Sequence, residues 1–170
     1  MQIHDGPVDR VISNHEIVEV RQRFIDGQHG IYACSSWNPE EVITNFLAAT
    51  YSAEPTYLTI QTGESLHITL DPEFLQYTNH SCDPNVFFDT AKMDLLALKR
   101  IYPGDELTFF YPSTEWMMHQ PFDCFCKSHQ CLGRIRGARY VKKNLRNRFR
   151  FTAFILDQFS KSIKRTSKVA

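Results

Sequence analysis

Apolar and polar residues alternate over short spans through most of the first 111 positions. The alternation predicts two short strands over residues 8–12 and 17–20, followed by a turn over residues 27–30. The same pattern predicts five further strands, over residues 57–61, 66–70, 86–88, 94–99 and 106–111. Many short strands separated by turns are typical of a mostly β protein built from small sheets.

Two segments depart from this alternation. Residues 39–50 begin close to two glutamates and carry apolar residues at Val42, Phe46 and Leu47, which predicts one or two helical turns. Beyond Gly137, apolar positions recur at steps of three and four and predict one face of a basic amphipathic helix. The positions on that face are Val141, Leu145, Phe149, Thr152, Leu156 and Phe159. We expect this face to pack on the body of the protein; binding to a membrane surface or to nucleic acid is the alternative.

The composition is that of a globular protein. Of 170 residues, 42% are hydrophobic and 22% are charged, which fits one domain with a short appendage and excludes disordered and fibrous classes. No apolar run approaches the roughly 20 residues of a membrane span, so none is expected. The first ten residues lack the apolar core of a secretory signal, and we expect that the protein is not secreted.

The net charge of zero is the sum of two segments of opposite charge. Residues 1–131 carry 7 Lys and Arg against 18 Asp and Glu, a net charge of −11. Residues 132–170 carry 12 Lys and Arg against a single acid, Asp157, a net charge of +11. An acidic body suits a basic partner, and a basic tail either docks on that body or meets a polyanion.

Three of the five cysteines form a close cluster. Cys124, Cys126 and Cys131 have the spacing C-x-C-x4-C, while Cys34 and Cys82 lie far away in the sequence. An odd number of unevenly spaced cysteines argues against a disulfide framework, and thiolates this close favour a tetrahedral zinc ion. A fourth ligand is needed, for which His129 and a distant cysteine are both candidates; three reduced thiols without metal are the alternative.

Two other segments carry the remaining chemistry. Residues 79–85 have the sequence NHSCDPN, which is too polar and too proline-broken for a regular element and predicts a functional loop. Residues 104–108 have the sequence GDELT and lead into the aromatic residues Phe109, Phe110 and Tyr111. Alone, the aromatic run would indicate core packing.

In this order, the three motifs resemble those of the SET-domain protein lysine methyltransferases that carry a post-SET zinc cluster. The resemblance extends over roughly residues 15–140. It implies a mostly β fold with minor α: small sheets, a pseudoknot at the NHSC segment, a post-SET zinc loop and a C-terminal helix. We therefore expect a SET domain over residues 1–112, a post-SET zinc-binding segment over 113–139, and a basic amphipathic helix and tail over 140–170.

The resemblance implies that S-adenosyl-L-methionine is the cofactor. Asn79 and His80 match the residues that hold it in the family, together with the turn that contains Gly27, His29 and Gly30. One departure is Gln28, which stands where the family has the first glycine of a G-x-G pair. Gly27 is then expected to serve through a shift of one residue.

The resemblance also implies transfer of a methyl group to the side-chain amine of lysine. Tyr111 matches the catalytic tyrosine, and Tyr57 is similar to a second channel tyrosine on an earlier strand, although a packed strand aromatic is the alternative for Tyr57. Phe109 occupies the family's phenylalanine/tyrosine switch, so we expect a di- or trimethylated product. Phe110 replaces an acid that is common in the family. The resemblance further implies that Cys82, preferred over His129, is the fourth zinc ligand beside Cys124, Cys126 and Cys131.

The expected function is methyl transfer to lysine in a basic protein or peptide, histone-like or otherwise. A catalytically weak SET-fold module that binds cofactor or peptide is the alternative, motivated by Gln28, Phe110 and a nearly absent insert between about residues 46 and 66. A zinc-dependent nucleic-acid binder is a third and less favoured hypothesis. From its substrate class we expect the protein in the nucleus, otherwise in the cytoplasm.

Overall fold

A computed structural model describes residues 8–166 of the chain. Most of the regular structure is β, as the alternation predicts. The strands are β1 (Asp9–Asn14), β2 (Val18–Arg23), β3 (His29–Ala33), β4 (Val42–Asn45), β5 (Leu47–Ser52), β6 (Ile60–Gly63), β7 (Leu66–Asp71), β8 (Asn79–His80), β9 (Val86–Asp89), β10 (Asp94–Ala97), β11 (Thr108–Phe109), β12 (Phe122–Asp123) and β13 (Arg134–Ile135).

Helical structure is confined to short segments and to one helix near the C-terminal end. The 3-10 helices span Glu73–Tyr77, Tyr111–Ser113, Ala138–Tyr140 and Lys143–Arg148, and the helix α1 spans Ala153–Thr166. No helix among the described residues is both long enough and apolar enough to cross a membrane.

The strands form small separate sheets. Three sheets have three antiparallel strands each, in the orders β1-β2-β3, β4-β10-β9 and β5-β7-β6. In β2, Val18 and Val20 are buried, whereas the alternate residues Glu19 and Arg21 form an ion pair with each other on the opposite face. One face of the strand therefore points into the core. The predicted mostly β fold class is therefore confirmed.

The three sheets enclose the main hydrophobic core. Phe46 and Phe88 meet edge to face in this core, with 5.5 Å between their ring centroids, and both side chains are fully buried. Phe109 extends this aromatic cluster, because its ring meets that of Phe88 edge to face with 4.8 Å between the centroids. The strand that ends in Phe109 is thus anchored in the core of the protein.

The prediction of helical turns over residues 39–50 was wrong. This segment forms β4 and β5, with Ile43 buried and Thr44 paired with Leu95 of β10. Val42, Ile43 and Thr44 are β-branched, and such side chains favour a strand that has a partner. The glutamates that suggested a helix start lie before β4 on the exposed surface.

The predicted C-terminal helix is shorter than the periodicity indicated. Helix α1 begins at Ala153, and residues 141–152 form a 3-10 helix and extended chain instead. A continuous helix would align the like charges of Lys142, Arg146 and Arg150 at steps of four, which is unfavourable. Thr152 ends the extended stretch and caps the helix, since its hydroxyl accepts from the backbone N–H of Ile155 at 3.5 Å.

The apolar face of the C-terminal segment packs on the body, as expected. Ile155 and Phe159 of α1 are buried in a second hydrophobic cluster, which also contains Ala138, Val141 and Phe151. Phe110 links this cluster to the sheets: its ring stacks on that of Phe149 at 3.8 Å, with 7° between the ring planes. The residue that replaces the family's acid therefore holds the C-terminal segment in place.

We expect the substitution Ile155→Ala to lower the free energy of unfolding by about 2–5 kcal/mol, because it opens a cavity in a fully buried site. The matched control is Leu156→Ala on the same helix, where the side chain is 52% exposed and the change should stay within about 0.5 kcal/mol. Urea unfolding followed by circular dichroism measures both. Equal effects of the two variants would contradict docking of α1.

Candidate active site and metal centre

The two polar motifs lie side by side. Strand β8 pairs in parallel with β11, so that Asn79 lies opposite Thr108 and His80 opposite Phe109. The side chain of Asn85 fixes this arrangement: its amide donates to the carbonyl oxygen of Glu106 at 2.9 Å and accepts from the backbone N–H of Thr108 at 2.8 Å. The segment expected to be a loop thus begins as a short strand.

A polar cavity of about 620 Å³ opens beside this pair of strands. Its lining includes Asn79, His80, Glu106, Gln28 and Arg23. Its size is in the range of small-molecule sites, and it offers a carboxylate, a guanidinium and amide groups together. A polar ligand with groups of both charges would find partners here.

Gly30 lies where two side chains of this cavity approach the backbone. The amide nitrogen of Asn79 donates to the carbonyl oxygen of His29 and to Oε1 of Glu106, both at 2.8 Å. A Cβ atom on Gly30 would stand 2.8 Å from Oε1 of Glu106 and 3.1 Å from Nδ2 of Asn79, so a larger residue would push both groups away. Glycine at this position therefore keeps the side of the cavity intact.

The other members of the predicted turn lie further from the cavity. Gly27 adopts a positive φ of 69°, which explains the glycine, but neither it nor His29 is among the residues that line the cavity. Gln28 is among them, at the position where the family has glycine. The backbone of His29 contributes by accepting from Asn79, and its ring packs on Tyr77.

A second cavity, of about 340 Å³, is lined mostly by apolar and aromatic residues. Phe109 and Tyr57 line it, as do Tyr111 and Phe122, which also line the polar cavity. The two cavities therefore meet at Tyr111 and Phe122. This junction is a place where a group held on the polar side can reach a group held on the aromatic side.

The Tyr111 side chain is fixed at the junction on several sides. Its hydroxyl donates to the carbonyl oxygen of Thr78 at 3.2 Å, and its ring centroid lies 4.7 Å from that of Phe109 and 5.9 Å from that of Phe122. Burial, together with the nearby carboxylate of Glu106, raises the pKa of Tyr111 to about 12. The phenol is consequently protonated at neutral pH and acts as a hydrogen-bond donor.

Tyr57 lies in a turn before β6 and not on a strand, which corrects that part of the prediction. Its side chain is 79% exposed and belongs to the lining of the aromatic cavity. The packed strand aromatic considered for Tyr57 is thereby excluded. Tyr57 stands at the mouth of the cavity, while Phe109 is buried inside it.

His80 connects Tyr111 to the cysteines. Its Nδ1 accepts from the backbone N–H of Tyr111 at 3.2 Å, which leaves the proton on Nε2, and Nε2 lies 3.4 Å from Sγ of Cys82. Burial lowers the pKa of His80 to about 4, so the ring is neutral at physiological pH. A neutral imidazole of fixed orientation thus bridges the backbone of Tyr111 and a thiol.

Four cysteines converge behind His80. The Sγ atoms of Cys82, Cys124, Cys126 and Cys131 all lie within 4.8 Å of one another, and those of Cys82 and Cys124 are 3.9 Å apart. Zn–S bonds of about 2.3 Å in a tetrahedron place the sulfur atoms about 3.8 Å apart, so the cluster has the dimensions of a zinc site. Burial raises the pKa of the Cys82 thiol, and it raises that of Cys124 to about 12. Despite burial, hydrogen bonds from the backbone N–H groups of Cys82 and Ser128 lower the pKa of Cys126 to about 7. Four thiolates this close together need a cation to offset their charge. His129 does not belong to this cluster.

Sequence reasoning missed three residues of the site. Glu106 was visible in the GDELT motif but was not assigned a partner, whereas its carboxylate contacts Asn79. Phe122 forms the second side of the junction but lies in no motif. Glu115 also lines the aromatic cavity, and nothing in its local sequence indicates that role.

Comparison with known proteins agrees with this site. Residues 8–112 match the family model described as SET domain. The chain is 45% identical over 105 residues to methyltransferase flvH of Aspergillus flavus, in a match covering 60% of this chain and 58% of that protein. It is 29% identical over 87 residues to a histone-lysine N-methyltransferase, H3 lysine-36 specific, of Saccharomyces cerevisiae, covering 48% of this chain and 12% of the relative.

Two solved structures show a more distant likeness. The methyltransferase domain of human histone-lysine N-methyltransferase SETMAR is 15% identical with a TM-score of 0.46, covering 74% of this chain and 56% of that chain. The methyltransferase domain of human PR domain-containing protein 2 is 20% identical with a TM-score of 0.43, covering 59% and 80%. The family model alone spans more than half of the 170 residues. Together with the motifs that form the two cavities, this match shows that the chain belongs to the SET-domain family.

Proposed function

We propose that this protein transfers a methyl group from S-adenosyl-L-methionine to the side-chain amine of lysine in a basic protein segment. The observation that carries the proposal is the meeting of a polar and an aromatic cavity at Tyr111 and Phe122. A methyl transfer needs the donor and the acceptor in line and shielded from water, and two cavities that share one wall provide this arrangement.

The residues of the polar cavity fit the cofactor. Glu106 and Asn79 offer acceptor oxygens, Arg23 adds a cation, and the missing Cβ of Gly30 keeps space for the Glu106 and Asn79 side chains. When bound, S-adenosyl-L-methionine supplies a methyl group on a positively charged sulfur. Asn79, His80 and the turn of Gly30 would hold it, and the fixed ring of His80 would keep Tyr111 beside it.

The acceptor amine must be neutral at the moment of methyl transfer. Free lysine has a pKa of about 10.4, so only about one molecule in 10³ is neutral at pH 7.4. Transfer into a cavity lined by Phe109, Phe122 and Tyr111 removes water from the ammonium group and lowers this pKa. The Tyr111 hydroxyl then orients the nitrogen lone pair towards the methyl group.

A basic protein segment is the acceptor class that we propose. The body carries a net charge of −11 over residues 1–131, which attracts cationic segments. The yeast relative is by its name a histone methyltransferase, and a nuclear location is proposed on that basis. The basic tail does not extend the proposal to nucleic acid, because its apolar face is buried and Arg150 pairs with Glu40 of the body at 2.8 Å.

A methyl-transfer assay on a peptide array tests the proposal. The full chain, purified with zinc, is incubated with radiolabelled S-adenosyl-L-methionine and an array of lysine-containing peptides from histones and other basic proteins. We expect label on a subset of peptides, and loss of label when arginine replaces the acceptor lysine. Cofactor binding without transfer to any peptide would support the catalytically weak binding module instead.

The residue at position 109 should set the product. Phe109 is buried against Tyr111 and leaves the cavity without a hydroxyl at this point, so we expect di- or trimethyllysine. A tyrosine hydroxyl would bind water and narrow the cavity, and Phe109→Tyr should shift the product towards monomethyllysine. Mass spectrometry of the product measures the shift, with Phe24→Tyr as control, because this side chain is 58% exposed and lines neither cavity. An unchanged product distribution in Phe109→Tyr would contradict this role.

A further inference from the structure

We propose that Glu115 binds the positively charged amine of the substrate inside the aromatic cavity. The inference rests on the proposed function, because it assigns to one carboxylate the recognition of the amine. Glu115 follows the 3-10 helix Tyr111–Ser113, and it belongs to none of the sequence motifs.

Glu115 is buried and held in place. Its side chain belongs to a residue that is 7% exposed and that lines the aromatic cavity. One carboxylate oxygen, Oε1, accepts from the backbone N–H of Gln61 at 2.7 Å and from the hydroxyl of Thr114 at 3.2 Å. Within the part of the chain that the structure describes, both hydrogen bonds of the carboxylate go to Oε1, and Oε2 accepts none. A fixed carboxylate therefore has one oxygen left for a ligand.

The residues around Glu115 in the cavity leave its negative charge without a counter-charge. Among the described residues that line it, Glu115 is the single acid, and no lysine or arginine is present to neutralise it. The other titratable residues in the lining are Tyr57, Tyr111 and His119. An acid in apolar surroundings without a counter-charge is costly unless a cation is its partner.

The pKa of Glu115 fits a buried carboxylate that has no positively charged partner. Burial raises the pKa of Glu115 to about 7, although the hydrogen bonds from Gln61 and Thr114 lower it. An ammonium group that enters the cavity would supply the absent positive charge and up to three N–H donors. Glu115 would thus select a cationic side chain of the length of lysine over a neutral one of the same shape.

A purely structural role is the competing explanation, and the side chain permits a test. Glutamine at position 115 keeps an oxygen that accepts from Gln61 and Thr114 but lacks the negative charge. Glu115→Gln should therefore fold with an unchanged or higher melting temperature and bind S-adenosylhomocysteine as the wild type does. Glu64→Gln, which alters an exposed acid outside the aromatic cavity, is the matched control.

The experiment compares two small probes that do not require turnover. Butylamine is the side-chain amine of lysine, and n-butanol is its neutral counterpart; both are titrated by NMR into the full chain loaded with zinc and S-adenosylhomocysteine. We expect the wild type and Glu64→Gln to prefer butylamine by about 10- to 100-fold, since a hydrogen bond to a charged group is worth that much. Glu115→Gln should lose this preference, and Glu115→Asp should retain part of it.

Two results would overturn the inference. One is an equal preference for butylamine in the wild type and in Glu115→Gln; the other is an equal loss of both probes, which would show that Glu115 only shapes the cavity. Neither result depends on methyl transfer. Loss of labelled product on the peptide array with an intact amine preference would contradict the proposed function and leave the role of Glu115 standing.

Discussion

The variant Tyr111→Phe should lose methyl transfer by about 10²–10³-fold, as expected when a single positioned hydrogen-bonding group is removed from a reaction centre. The Tyr111 hydroxyl is protonated and donates to Thr78, so towards the amine it contributes its oxygen as an oriented acceptor for an N–H group. The phenylalanine ring keeps the packing against Phe109 and Phe122. The loss should therefore appear in kcat, with little change in the affinity for S-adenosylhomocysteine measured by calorimetry.

Tyr51→Phe is the control for this prediction. Tyr51 lies on β5, is 71% exposed and lines neither cavity of the site. Its rate of methyl transfer should equal that of the wild type. If Tyr111→Phe kept more than about a tenth of the wild-type kcat, Tyr111 would not be the residue that orients the amine, and another group at the junction would have to do so.

The second large effect is expected for Cys82→Ser. Removal of one of four converging thiols should release zinc, because a hydroxyl is a poor ligand for this ion and the remaining three cysteines leave the tetrahedron open. Since apparent binding free energies of structural zinc are about 10–16 kcal/mol, much of the stability of residues 122–135 should be lost with it. Elemental analysis should fall from one zinc per chain towards zero, and the melting temperature should fall with it.

Cys34→Ser separates this effect from a general sensitivity to thiol loss. Cys34 lies outside the cluster, in the bend that follows β3, and burial raises the pKa of its thiol, so the side chain is neutral. The variant should retain one zinc per chain. Full zinc content in Cys82→Ser would remove Cys82 from the ligand set and leave His129 to be tested as the fourth ligand.

The motif residues could be located from sequence because each motif has its own chemistry. The NHSCDPN and GDELT segments were expected to act together, and the structure pairs Asn79 with Thr108. The distant Cys82 was expected beside the cysteine cluster, and its Sγ lies 3.9 Å from that of Cys124. Local composition was sufficient to mark the polar segments, whereas the expectation for Cys82 came from the resemblance to the SET-domain family.

The other residues of the site, and the conformation of the C-terminal segment, depend on tertiary contacts that no local sequence pattern contains. Phe122 and Glu115 gain their roles only because residues 115–122 run past the end of β11, which spacing cannot reveal. The helical periodicity from Val141 onward predicted a buried face correctly at Val141 and Phe159, but it placed Leu156 there, which is 52% exposed, and missed Phe151 and Ile155. It was also wrong about the conformation of residues 141–152. Val141 and Phe159 are both buried in one cluster, but two different backbone conformations place them there.

Three consecutive residues at the end of β11 serve three different parts of the molecule: Phe109 the main core, Phe110 the C-terminal cluster and Tyr111 the cavity junction. During synthesis, the ring of Phe110 emerges long before its partners Phe149 and Phe151. A fragment cut at residue 112, where the family match ends, would expose that ring to water and lack the thiols that join Cys82. The unit that must be expressed to keep both hydrophobic clusters intact therefore extends to Phe159, well beyond the segment that matches the family model.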